Sequence, residues 1–203
     1  AGIGAGLGSL LAFYEVGFKN HFSLISIVIF VLALSAAFVP FESQKNKKEA
    51  NSPFISIPKG SLLPVATITF FASLSEGAVA DWSAIFLKSV ASLNDGNAAL
   101  GFTVFSVCMF SMRLLGDRIS FILGPATAAR YSGLVALTGS IILLVSDSFL
   151  LLLLGFGLIG LGIAVIIPLA FSRAGNDETI SQGTAIASIA TLGYGGMLLG
   201  PLF

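Results

Sequence analysis

Apolar runs long enough to cross a bilayer, separated by short polar breaks, dominate this chain. Residues 22–39 (FSLISIVIFVLALSAAFV) and 149–171 are the clearest of them. A helix rises about 1.5 Å per residue, so about 20 residues cover a hydrocarbon core of about 30 Å. Backbone polar groups in that solvent must pair within the segment, which favours helices for runs of this length. Further runs at 62–80, 97–115, 131–146 and 184–203, with a short one at 1–13, bring the expected spans to seven.

The composition agrees. Hydrophobic residues make up 56% of the 203 positions and charged residues only 10%, with mean hydropathy +0.99. Ten acids and ten bases cannot clothe a soluble domain of this size. A soluble enzyme, a nucleic-acid binder and a disordered chain are thereby excluded. The formal net charge of zero supplies no field to attract a polyanion. The single cysteine, Cys108, allows no internal disulfide, and the single histidine, His21, excludes a histidine-rich metal site. The apolar start at Ala1 lacks the basic segment and cleavage site of a signal peptide.

Residues 1–13 reach only about 20 Å as a helix and read as the later part of a span. The last run stops at Phe203 with no polar exit, so the chain reads as a fragment. Residues 14–21 read as a polar loop, 40–61 as a solvated linker broken by Pro40, Pro53 and Pro58, and 83–96 as an interfacial continuation and turn. A short loop is expected around Gly116, Asp117, Arg118, Gly124, Pro125 and Arg130, and another at 171–182. Lys45, Lys47, Lys48, Lys59, Arg113, Arg118, Arg130 and Arg173 fall on one side of the membrane; only Lys19 and Lys88 fall on the other. That bias of eight against two predicts a cytoplasmic linker.

The two ends match at an offset of 192 residues: Gly4 with Gly196, Leu7 with Leu199, Gly8 with Gly200 and Leu10 with Leu202. Glycines four apart share a helix face and permit close helix contact. Chance similarity between apolar helices is one reading. The other is a repeat of about 190 residues and six spans, as in two-halved transporters.

Few polar residues sit at membrane depth. Glu76 stands inside the 62–80 run near its far end, where an unpaired carboxylate costs roughly 2.5–3.5 kcal/mol. It reads either as a solute- or proton-binding group or as a polar contact between helices. Asp81 and Trp82 lie about a turn further out, as an aromatic platform for a ligand or as an interfacial belt. Arg113 and Asp117 are four apart and can pair on one helix face. With Asp117 and Arg118 facing the cytoplasm, they read as a latch between halves or as ordinary charges marking topology. Gly155, Gly157, Gly160 and Gly162, followed by Pro168, read as packing positions or as a hinge.

Three stretches resemble the major facilitator superfamily, in particular its bacterial branch related to fucose permease. Glu76-Gly77-Ala78-Val79-Ala80-Asp81-Trp82-Ser83-Ala84-Ile85-Phe86-Leu87 resembles the seventh helix of that superfamily. Arg113-Leu114-Leu115-Gly116-Asp117-Arg118, with Gly124-Pro125 and Arg130, resembles its signature between helices eight and nine, with Met112 where a glycine is usual. Ala187-Ser188-Ile189-Ala190-Thr191-Leu192-Gly193-Tyr194, running on to Gly200-Pro201, resembles the eleventh.

The resemblance implies an all-α, polytopic transmembrane bundle, the C-terminal half of a two-times-six-helix fold. Residues 1–39 would end the N-terminal bundle, 40–61 would link the halves, and 62–203 would form the C-terminal bundle. It implies secondary transport of a small polar solute such as a sugar, by alternating access coupled to protons, in a bacterial inner membrane. Glu76, Asp81 and Trp82 would line the solute pathway. Arg113, Gly116, Asp117, Arg118 and Arg130 would form a conformational latch, and Gly196, Gly200 and Pro201 a packing or hinge element. The expected partners are the solute, protons, lipid and the remaining half of the same chain, with no nucleic acid, cofactor, metal or catalytic residue. Efflux of an amphipathic compound is the alternative. A seven-helix receptor and a membrane-embedded enzyme fit less well, for want of an external disulfide and of clustered catalytic groups.

Overall fold

The computed structural model describes residues 17–38, 56–91 and 94–202. All regular structure among them is helical: α1 (Phe18–Ala37), α2 (Leu62–Ala91), a four-residue α3 (Asp95–Ala98), α4 (Leu100–Leu123), α5 (Pro125–Val145), α6 (Phe149–Ile163), α7 (Ile166–Gly175) and α8 (Gln182–Leu199), which ends in a 3-10 turn at Gly200–Leu202. Among the described residues, five segments are long and apolar enough to cross a membrane: 62–91, 96–123, 125–145, 149–175 and 182–202. The run at 1–13 and its match to the C-terminal end lie outside the described residues, as does most of the 40–61 linker.

Several boundaries move. α1 begins at Phe18, so residues 18–21 are helical where a loop was expected. α2 absorbs most of the expected interfacial segment and runs to Ala91. Gly116, Asp117 and Arg118 lie within α4, not in a loop. The break comes at Gly124, whose φ of 78° is in the left-handed region, and Pro125 opens α5. Arg113 therefore sits mid-helix and no longer counts among the residues that set topology.

The 149–175 segment is the axle of the bundle: 61% of its most apolar window is buried, against 17% for α5. Its glycines serve two neighbours. A methyl at Gly155 or Gly162 would strike α5, at the Gly139 carbonyl and Leu143 or at the Ser132 carbonyl and Ala136. A methyl at Gly157 or Gly160 would meet α4, at Cys108 and Val104 or at the Phe105 carbonyl. Small residues let these backbones approach, which is how helices gain contact where lipid removes the hydrophobic drive between them. The segment breaks at Ala164–Val165, three to four residues before Pro168. Proline has no N–H for the Ala164 carbonyl and its ring crowds that carbonyl, so the helix yields there.

The core centres on Leu87, Phe105, Met109, Leu152, Phe156 and Ile159, with Phe86 edge-on to Phe156 at 6.1 Å. A second cluster of smaller residues, Leu62, Ala66, Ala170, Ala174, Ala185 and Ile189, joins α2, α7 and α8. The outer faces stay apolar: Phe121 is 90% exposed and Leu144 84%. Such surface is far beyond what water tolerates and is what lipid solvates. The molecule is a multi-pass membrane protein.

Candidate functional site

Charge enters the middle of the bundle at two positions. Glu76 is the fifteenth of the 30 residues of α2, and Arg113 the fourteenth of the 24 residues of α4. Glu76 is thus near the centre of its helix, not near its outer end, because α2 continues well past Asp81 and Trp82. The Arg113 guanidinium lies 3.5 Å from the Glu76 carboxylate, with the two side chains 41% and 24% exposed. Pairing offsets the cost of holding either charge at membrane depth.

The pair opens into a cavity of about 250 Å³, whose polar lining adds Thr69 and Ser73 from α2 and Tyr194 from α8. Ile167 and Phe171 from α7, with Met197 from α8, form an apolar wall. The α2 positions follow from the sequence: Thr69, Ser73 and Glu76 are spaced four and three apart and share one helix face. Thr69 turns its hydroxyl back onto the Val65 carbonyl at 2.8 Å. Ser73 is only 5% exposed. Gly193 keeps this space open, since a methyl there would meet Thr69 at 3.3 Å.

A second cavity of about 310 Å³ adjoins Arg113 on its other side, lined by Gly116, Asp117 and Ser120 of α4 and by Pro168, Leu169 and Ser172 of α7. Arg113 is common to both cavities. Arg113 pairs across helices with Glu76, and Asp117, four residues on, makes no ion pair among the described residues. Arg118 and Arg130 are exposed, while Gly116 is buried, with Val165 at the α6–α7 break where its Cβ would be.

Asp81 is exposed and points away from Glu76. The indole N–H of Trp82 donates to the Pro201 carbonyl at 3.1 Å, so this ring also ties α2 to the end of α8. That crossing is close: the faces of Gly196 and Gly200 rest on the backbone of α2 at Phe70, Leu74 and Ala78, and Gly77 rests on the Met197 carbonyl.

The sequence reading missed a third polar centre, at the opposite end of α2 from Trp82. Asp177, 9% exposed, accepts hydrogen bonds from the backbone N–H of Thr179 at 2.9 Å, from the Thr179 hydroxyl and from Ser61 at 3.2 Å, with Arg173 3.5 Å away. The Thr179 hydrogen bonds, then those of Ser61 and the charge of Arg173, hold this carboxyl below the usual carboxylate range, against an opposing effect of burial. The Asp-x-Thr spacing signals the local turn; nothing in it points to Ser61.

A bundle of membrane-length helices, with an acid and a base paired at mid-helix beside an internal cavity, defines a polytopic membrane protein. Comparison with known proteins agrees. The chain is 35% identical over 199 residues to the uncharacterized transporter y4wD of Sinorhizobium fredii, covering 98% of this chain and 53% of that protein. It is 31% identical over 196 residues to an uncharacterized MFS-type transporter of Yersinia pestis, covering 97% of this chain and 51% of that one. It is 34% identical over 140 residues to the membrane protein MosC of Rhizobium meliloti, covering 69% and 34% respectively. The chain thus spans about half the length, or less, of the curated relatives it matches. No protein-family model and no solved structure matches it. Over nearly its whole length the chain is thus homologous to two proteins named as transporters, one of them of the major facilitator (MFS) type.

Proposed function

We propose that the chain supplies one half of a secondary transporter that moves a small polar solute across the bacterial inner membrane by alternating access. The observation that carries this reading is the Glu76–Arg113 pair at mid-helix, facing a cavity that Thr69, Ser73 and Tyr194 also line. The pair offers hydrogen-bond donors and acceptors together with no net charge, which suits an uncharged polyhydroxyl solute of the sugar type. The apolar wall of Ile167 and Phe171 would take a sugar's non-polar face. Glu76 is the group that would carry the coupled proton: its protonation would loosen Arg113 and change how the solute is held.

In this reading residues 62–203 form the C-terminal bundle, 40–61 the cytoplasmic connection and 1–39 the end of the N-terminal bundle, whose remainder completes the site. The exposure of α1 along residues 22–35 supports placing it with the other half. Gly116, Asp117, Arg118 and Arg130 would act as a latch on the linker side, and Gly196, Gly200 and Pro201 as the packed crossing with α2.

Reconstituted full-length protein in liposomes, tested with a panel of labelled sugars under an imposed pH gradient, decides the matter. Sugar uptake that is driven by the gradient and falls at least about tenfold in Glu76→Gln is expected. Transport with the same rate and pH dependence in Glu76→Gln would remove this residue from the mechanism. Failure of every sugar to move protons would overturn the substrate class.

A further inference from the structure

Arg113 stands between two carboxylates on the walls of two cavities. Glu76 holds its guanidinium from the side of the 250 Å³ cavity. Asp117 lies one turn along α4 and lines the 310 Å³ cavity together with Arg113 itself. Asp117 is exposed, and among the described residues it makes no hydrogen bond or ion pair. Arg113 is 41% exposed, and its contact with Glu76 is a single one at 3.5 Å, not a bidentate clasp. Arginine side chains are long enough to serve either neighbour: Cβ atoms four apart on a helix are about 5–6 Å from each other. α7 separates the two spaces, giving Ile167 and Phe171 to the first and Pro168, Leu169 and Ser172 to the second.

We propose that Asp117 is the alternative partner of Arg113, and that the guanidinium exchanges Glu76 for Asp117 when a solute takes the hydrogen bonds of Glu76. The exchange rests on the transport reading for its purpose, since it would vacate the first cavity while filling the second. A solute entering beside Glu76 would thereby gain room as the Asp117 side closes. Arg113 is then a positioning residue that reports occupancy of one cavity to the other. Two discrete partners give it the two states that such coupling needs.

The exchange is tested on purified full-length protein, without solute and without transport, so its outcome is separate from that of the uptake assay. Single cysteines are placed at Ala190 for the first cavity and at Ser172 for the second, with the native cysteines replaced, Cys108 included. Their rates of reaction with a water-soluble maleimide are compared in Glu76→Gln and Asp117→Asn, both near-isosteric. Glu76→Gln sends Arg113 to Asp117, so labelling at 190 rises and labelling at 172 falls, by about fivefold for a modest coupling. Asp117→Asn holds Arg113 on Glu76 and shifts both rates the other way or leaves them at the wild-type value. Adding Arg113→Gln, or Arg113→Lys should the first fail to fold, abolishes or weakens the Glu76→Gln effect. Glu76→Gln rates that do not change, that change in the same direction at both positions, or that persist without Arg113 overturn the proposal.

Discussion

The Arg113 guanidinium meets the Glu76 carboxylate across a helix boundary, 37 positions apart in sequence and 3.5 Å apart in space. Each would be costly alone at that depth, so each is the condition for the other's presence. Neutralising Arg113 strands Glu76, and neutralising Glu76 leaves Arg113 only Asp117, one turn along α4. Glu76→Gln and Arg113→Gln are each expected to lower the thermal stability of the purified full-length protein, and the double variant to recover part of the loss. Partial exposure limits the coupling energy to the order of 1 kcal/mol. Thermal melts of the four proteins in one detergent measure it; strictly additive effects would mean that the contact contributes nothing.

Neighbouring glycines in α8 separate packing from propensity. A methyl at Gly196 would fall on the Phe70 carbonyl of α2, while one at Gly195 meets nothing within 4 Å. Backbone cannot yield as a side-chain tip does, so Gly196→Ala is expected to destabilise by about 1–3 kcal/mol. Gly195→Ala gains helix propensity and is expected to be neutral or stabilising by up to about 1 kcal/mol. Paired melts check the contrast, and equal effects would show that α2 and α8 do not cross this closely.

What could be read from the sequence follows the range over which each signal acts. Apolar runs act locally, and they locate all five membrane-length helices among the described residues. Asp81 and Trp82 look like the end of a span, which places Glu76 near that end; the continuation to Ala91 puts it at the centre of its helix. Gly116, Asp117 and Arg118 look like a loop, but their polarity is accommodated on the exposed side of α4 and in the adjoining cavity, and nothing stops the helix before Gly124. Spacing arguments compare residues on one helix, so they raised Arg113 with Asp117 and could not raise Arg113 with Glu76. Ser61 with Asp177, 116 positions apart, was out of reach for the same reason.

Pro168 sets the break between α6 and α7, and α7 forms the wall between the two cavities. Pro168→Ala restores a backbone donor facing the Ala164 carbonyl and removes the clash. The segment is expected to straighten, with stability retained or raised and solute flux reduced several-fold. Transport rate and melting temperature measured on the same preparation distinguish this from simple misfolding, which would lower both. Undiminished flux would show that the break has no part in transport.

Asp177 gives stability a pH dependence of known sign. Its carboxyl is held below its ordinary value in the folded protein by the Thr179 hydrogen bonds first, then by Ser61 and Arg173. In the unfolded chain the group titrates near the usual value of about 3.9. The folded state therefore binds its proton less readily, and the contribution of Asp177 is complete above about pH 4–5 and shrinks as pH falls through the depressed value. Asp177→Asn keeps the shape and removes the charge, so its melting temperature should lie below wild type at pH 7. The gap should narrow steadily as the pH is lowered from 5 towards 3. Ser61→Ala should reproduce a smaller part of the pH 7 loss, because Ser61 supplies one of several contacts to this carboxylate. A gap that stays constant from pH 7 to pH 3 would mean that the carboxylate's charge does not hold the α7–α8 turn to the start of α2.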